Sequence, residues 1–173
     1  MTTRQPIQSL RDISPRRAAA TVFALALATI AGAWMFQLAG YLPCELCLKQ
    51  RWAYYAGVPL AALVLFVTLR GPRALIKPGF YLLALIFFGS ALFGVYHAGV
   101  EWAFWPGPSD CTGAAGSAAP SMQDFMTQLQ SVKVVRCDAV AIRILGLSLA
   151  GWNGVISAAM CAFALIGARN TQS

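Results

Sequence analysis

Four long apolar runs constrain this chain more than any other feature: about Ala18 to Leu38, Trp52 to Leu69, Pro78 to His97 and Leu145 to Ala168. Crossing a hydrocarbon core of about 30 Å takes about 20 apolar residues in a helix. In that medium a helix satisfies its own backbone polar groups, which an open strand does not. Each run is therefore expected to be a spanning helix, and the chain an all-α membrane protein: a single domain over residues 1–173 built on a four-helix bundle. Composition agrees, since 58% of the residues are hydrophobic and 11% charged, against roughly 45–50% and 25% in soluble domains. Arg16 and Arg17 before the first run resemble the basic start of a signal peptide. The run is long, however, and no small-residue cleavage site clearly follows it, so it reads as a retained anchor. Asn153 and Ser157 place polar groups on the fourth run.

Basic residues near span ends favour the cytoplasmic side. Arg4, Arg11, Arg16 and Arg17 precede the first run, Arg70, Arg73 and Lys77 crowd the second link, and Arg169 follows the fourth run. Both termini and that link are thus expected inside. Of the six acidic residues, only Asp12 falls on that side. The net charge of +7 is explained by topology, and no basic stripe interleaved with aromatics suggests nucleic acid.

Two segments then face outward, about 39–51 and 98–144. The longer one opens with Trp102, Phe104 and Trp105, an interfacial aromatic belt, followed by the turn formers Pro106, Gly107 and Pro108. Residues 110–120 are small and polar, the composition of an irregular loop. Beyond Ser121, an N-cap with Asp124 three residues on, Met122, Phe125, Met126 and Leu129 recur at helical spacing. A short amphipathic helix is expected there, lying on the bilayer surface or covering the bundle.

Four of the five cysteines lie in these outer segments: Cys44 and Cys47 as a C-x-x-C pair, Cys111 and Cys137 in the long loop, with Cys161 alone in the fourth run. Thiols outside the cytoplasm are not kept reduced, so disulfides are the default. A C-x-x-C ring is too small to contribute much loop entropy, which points to redox chemistry rather than bracing. Arg51 stands four residues after Cys47, one turn away on the same helix face if helix begins near Leu46. A guanidinium and a helix N-terminus there both favour the thiolate, the reactive species. The alternatives are less well served. Zinc would need His97 and a loop cysteine as further ligands, and c-type haem would need a histidine where Leu48 stands. No metal is expected. Taken alone, Cys111 and Cys137 suit a plain structural loop disulfide, and Cys161 an inert small hydrophobe in a helix interface.

The stretch Pro43-Cys44-Glu45-Leu46-Cys47-Leu48-Lys49-Gln50-Arg51 resembles the signature of the DsbB family, disulfide bond formation protein B. So do Tyr96-His97-Ala98-Gly99-Val100-Glu101, the Trp105–Pro108 turn before Cys111, Cys137-Asp138, Gly146 to Ala150 and Trp152-Asn153, all in family order. One departure lies between Asp138 and Leu145, where many relatives carry a tryptophan before the arginine. The resemblance implies a multi-pass protein of the bacterial inner membrane whose redox cysteines are periplasmic. It further implies that a reduced DsbA-like thioredoxin-fold partner attacks a Cys111–Cys137 disulfide at Cys111. Electrons would pass to Cys44 and Cys47, and from Cys47 to a membrane quinone, ubiquinone or menaquinone. Arg51 and His97 would face that quinone; Glu101 is a weaker candidate.

Two other readings compete. A vitamin K epoxide reductase-like enzyme also joins loop cysteines and a C-x-x-C to a quinone on four helices, but there the C-x-x-C comes late, whereas here it comes first. A tetraspan scaffold would use the outer cysteines only as braces and bind no quinone.

Overall fold

In the computed structural model, the described residues are 13–108, 121, 136–140 and 142–171. Helix α1 spans Pro15–Leu38. The Ser14 hydroxyl accepts the Arg17 N–H at 3.3 Å and Pro15 opens the first turn, where its missing N–H removes nothing. Helix α2, Glu45–Arg70, contains Pro59 and ends against Gly71. A 3₁₀ turn at Arg73–Leu75 leads into α3, Ile76–Glu101. A minimal antiparallel hairpin follows, β1 (Arg143–Ile144) with β2 (Leu147–Ser148), pairing Arg143 with Ser148. Ser148 then caps α4, Leu149–Asn170, by accepting the Gly151 N–H at 3.1 Å.

All four helices are long and apolar enough to cross a membrane, as the four runs imply, and their bounds differ from the apolar runs in instructive ways. Helix α2 begins at Glu45 rather than Trp52, because Cys44 serves as its cap: the sulfur accepts the Cys47 N–H at 3.2 Å. Helix α3 continues to Glu101 rather than ending at His97, and α1 begins at Pro15. Helix α4 begins at Leu149 rather than Leu145, since Leu145 and Gly146 turn the hairpin with φ of 51° and 84°. Two successive left-handed residues are what a two-residue hairpin turn with the strand twist requires. The amphipathic helix expected after Ser121 lies outside the described residues.

Packing follows from small residues. A Cβ on Gly94 would meet the Gly154 backbone at 2.7 Å, so α3 and α4 touch backbone to backbone, the close approach that drives helix association in lipid. Elsewhere glycines receive rings: the Phe87 ring would lie 2.6 Å from a Cβ on Gly57, and Phe80 would lie 2.5 Å from one on Gly167. These rings, with Ala18, Val22, Ala26 and Met160, form the buried core. Leu63, Phe66, Leu85 and Phe88 face outward, as lipid-facing side chains do when no hydrophobic force separates helix from solvent. Within the core, Tyr54 donates to Asn153 Oδ1 at 2.6 Å, while Ser157 lies 3.2 Å from the Tyr54 hydroxyl and 2.9 Å from that of Ser90. This network ties α2, α3 and α4 with polar groups that lipid would otherwise leave unsatisfied.

Asn170 donates to the Ile13 carbonyl at 2.8 Å, which brings the start of α1 to the end of α4. Arg16, Arg17, Arg70, Arg73, Lys77 and Arg169 accordingly gather at one end of the bundle. Cys44, His97 and Cys137 lie at the other.

Candidate functional site

After α1, Gly40 turns the chain with φ of 95°, and Pro43 delivers it to the α2 cap. The cap geometry brings the two sulfurs together. Cys44 is buried, Cys47 half-buried, and their sulfurs stand 2.7 Å apart as free thiols. One turn before the end of α3, His97 is 1% exposed, with Nε2 3.6 Å from the Cys44 sulfur. Leu46, Val100 and Cys137 close a small apolar cluster around them. Cys137 is disulfide-bonded; Cys111 lies outside the described residues.

The segment leaving α3 folds back onto that helix. Trp105 stacks on Tyr96, centroids 6.0 Å apart and planes 8° from parallel, and donates to the Tyr96 carbonyl at 2.9 Å. Gly99 makes room, because a Cβ there would sit 2.1 Å from the indole. The aromatic belt read from sequence thus also fastens the segment after α3 onto the helix that carries His97.

Two cavities meet at Cys47. One, about 500 Å³, is walled mainly by apolar residues of α1, α2, α4 and the link between α1 and α2, with Thr29, Cys47, Gln50, Arg51, Tyr54 and Asn153 among its polar points. The other, about 40 Å³, has Cys44, Cys47, His97, Glu101, Cys137 and Arg136 in its lining, the Arg136 guanidinium being paired with the Asp138 carboxylate. His97 therefore belongs with the sulfurs and is absent from the lining of the larger cavity, a different place from the solvated interfacial position that an isolated histidine at a span end suggests. Glu101 lines the same crevice.

Arg51 does not reach toward the sulfur one turn away. Its Nη1 donates to Gln37 Oε1 at 2.6 Å, its Nη2 to the Ala33 carbonyl at 3.2 Å, and its guanidinium lies 5.4 Å from the Trp34 ring centre. The charge is fixed to α1 at the wall of the larger cavity. Gln37, Trp34 and Gln50 went unmarked in the sequence; the available signal was a lone polar residue, Gln37, at the end of an apolar run.

The Cys44 thiol is held well below the ordinary thiol range, to about 5. Its largest cause is the hydrogen bond from the Cys47 side chain, opposed by burial and reinforced by the His97 imidazole. In the reduced pair the contacts that favour a thiolate therefore fall on Cys44. The sequence argument from Arg51 pointed instead to Cys47.

The donor atoms of Cys44, Cys47 and His97 lie within 4.8 Å of one another. Three donors fall one short of a closed structural zinc site. The larger cavity has the size and apolar lining of a small-molecule site, with a few polar groups to orient a ligand.

A multi-pass helical membrane protein with a C-x-x-C at a helix cap, beside an apolar cavity, is built for thiol redox chemistry at a membrane. The family described as disulfide bond formation protein DsbB matches residues 15–167, and the chain belongs to that family, whose members are membrane oxidoreductases that form disulfide bonds. No significant match appears among curated proteins or among solved structures.

Proposed function

We propose that this chain reoxidises a reduced thioredoxin-fold dithiol protein outside the cytoplasm and delivers the two electrons to a quinone of a bacterial inner membrane. The partner's thiolate attacks the Cys111–Cys137 disulfide at Cys111, forming a mixed disulfide and freeing Cys137. The partner's second thiol resolves it, leaving the partner oxidised and Cys111 and Cys137 as thiols. Thiol–disulfide exchange with a Cys44–Cys47 disulfide restores the loop pair and leaves Cys44 and Cys47 reduced. A bound quinone, ubiquinone or menaquinone, supplies the two-electron sink and leaves as the quinol with two protons. Cys47 re-forms its bond to Cys44 as those electrons leave, and Arg51 places a fixed positive charge where negative charge develops. His97 sits beside Cys44 and orients it.

The observation that carries this reading is the position of Cys47, in the wall of both the sulfur crevice and the larger apolar cavity. A residue so placed meets a protein disulfide on one side and a membrane-soluble acceptor on the other. The basic residues at the opposite end of the bundle support the cysteines being outside. Mixing the purified protein with a quinone and a reduced thioredoxin-fold donor, and following quinone absorbance, tests it. Cysteine-dependent quinone loss is expected; its absence would favour a disulfide-braced scaffold.

A further inference from the structure

The small crevice beside the C-x-x-C has a donor set that disulfide exchange alone does not require. Exchange needs two sulfurs and access. Here the two sulfurs are joined by a buried imidazole, all three donor atoms falling within 4.8 Å. Glu101 lines the same crevice, and its buried Oε2 has no hydrogen-bond partner among the described residues. A buried carboxylate oxygen left without a partner is costly. The volume, about 40 Å³, suits one small ion and excludes a larger ligand.

The distances suit a tetrahedral thiophilic cation. With zinc bonds of about 2.3 Å to sulfur and 2.0 Å to nitrogen, tetrahedral angles put sulfur and nitrogen roughly 3.5 Å apart; Cys44 Sγ and His97 Nε2 are 3.6 Å apart. The two sulfurs, 2.7 Å apart, would open by about 1 Å to reach a tetrahedral edge. Cys47 is half-buried beside a large cavity and has room to do so. Thiolate and imidazole together favour zinc-like cations over magnesium or calcium, which prefer oxygen.

We propose that the reduced pair Cys44 and Cys47, with His97, binds a thiophilic divalent cation such as Zn²⁺ or Cd²⁺, and that Glu101, in the crevice wall outside that donor group, supports the charge of the ion from a longer distance. Binding moves no electrons: a sulfur still protonated when it coordinates gives up its proton to solvent, and the cation takes both sulfurs out of exchange. Closing the Cys44–Cys47 disulfide removes two donors, so only the reduced form holds the ion. If the electron route proposed above holds, occupancy stalls the protein in its reduced state; the binding itself does not depend on that route.

The test uses the full chain carrying Cys111→Ser, Cys137→Ser and Cys161→Ala, so that Cys44 and Cys47 are its only thiols. Reduced protein in lipid nanodiscs is titrated with Cd²⁺, following the thiolate-to-cadmium absorption, and with Zn²⁺ against a chromophoric chelator. One ion per reduced chain and none per oxidised chain is expected. His97→Ala should weaken binding by about tenfold or more, the scale on which even outer-shell groups alter metal affinity, with a smaller loss for Glu101→Gln. His97→Gln serves if the alanine variant does not fold. Binding unchanged by both the His97 and Glu101 substitutions would reduce the site to ordinary dithiol chelation and overturn the proposal, as would absence of stoichiometric binding. Stoichiometric binding in a wild-type protein that reduces no quinone would instead overturn the proposed function and leave this site standing.

Discussion

The two ends of the bundle are built from the same helices on opposite principles. Toward the basic end, Phe80, Phe87 and Met160 are fully buried against glycines and alanines, and close packing leaves little room for change. At the cysteine end, the buried apolar cluster shrinks to Cys44, Leu46, Val100 and Cys137, with two cavities on either side of Cys47. Buried polar atoms stand there without partners among the described residues: Gln50 Nε2, His97 Nδ1, Glu101 Oε2 and, at the wall of the larger cavity, Asn153 Nδ2. The contrast separates a packed end that holds the fold from a loosely packed end that, in the proposed function, exchanges electrons. Incomplete satisfaction at one end is tolerable because the other end, and the Tyr54–Asn153–Ser157–Ser90 network between them, hold the helices together.

Breaking the reactive end should have the largest effect. Cys47→Ser, or Cys44→Ser, should take quinone reduction below detection in a stopped-flow assay while the protein remains folded by circular dichroism. Arg51→His comes next. Removing the charge fixed by Gln37 and Ala33 should slow quinone reduction roughly ten- to hundredfold, the scale of a charge-assisted hydrogen bond, and leave partner binding near normal. Equal rates in both proteins would withdraw the arginine's role.

Substitution in the packed region should act on stability rather than chemistry. Gly94→Val drives a side chain into the Gly154 backbone, and overpacking of this kind costs about 1–3 kcal/mol. Thermal unfolding in detergent should show the loss, with activity per folded molecule preserved where the protein survives. The pH dependence of Cys44 is a finer probe. Its thiol is lowered to about 5, so in reduced protein its reaction with a small methanethiosulfonate should stay fast through neutral pH and fall only as pH drops through about 5. His97→Ala, which removes one of the lowering contacts, should move that fall to higher pH. The smallest effect is expected for Cys161→Ala, since Cys161 packs against the core away from both cavities. A folded but inactive variant would show that the packed region takes part in the chemistry.

The membrane architecture was legible because apolar length alone demands it; the four runs and the four helices coincide in their middles. Their ends were not, because caps are local hydrogen bonds that hydropathy does not register. Cys44 lengthens α2 through its sulfur, and the Leu145-Gly146 turn shortens α4. An apolar residue followed by glycine between Ile144 and Leu147 was the available sign of that hairpin. The C-x-x-C was legible as a close cysteine pair at the start of a helix, and Arg51 as a nearby charge. The direction in which Arg51 points was not, since its partners lie a helix away at Ala33 and Gln37. The same holds for His97: its burial against Cys44 depends on the packing of α3 against the α2 cap, which spans 53 residues of sequence. Asn153 and Ser157 were visible as polar residues on a span, and their partner Tyr54 only in three dimensions.

The central claim is that Cys47 hands electrons from its pair to an acceptor in the larger cavity, and a single-turnover experiment addresses it without the partner protein. A Cys111→Ser, Cys137→Ser chain, reduced and freed of reductant, is mixed with one equivalent of a short-chain benzoquinone while quinone absorbance and free thiols are counted together. The account predicts one quinone reduced per chain with simultaneous loss of the Cys44 and Cys47 thiols. Quinone left unreduced while both thiols persist would contradict it.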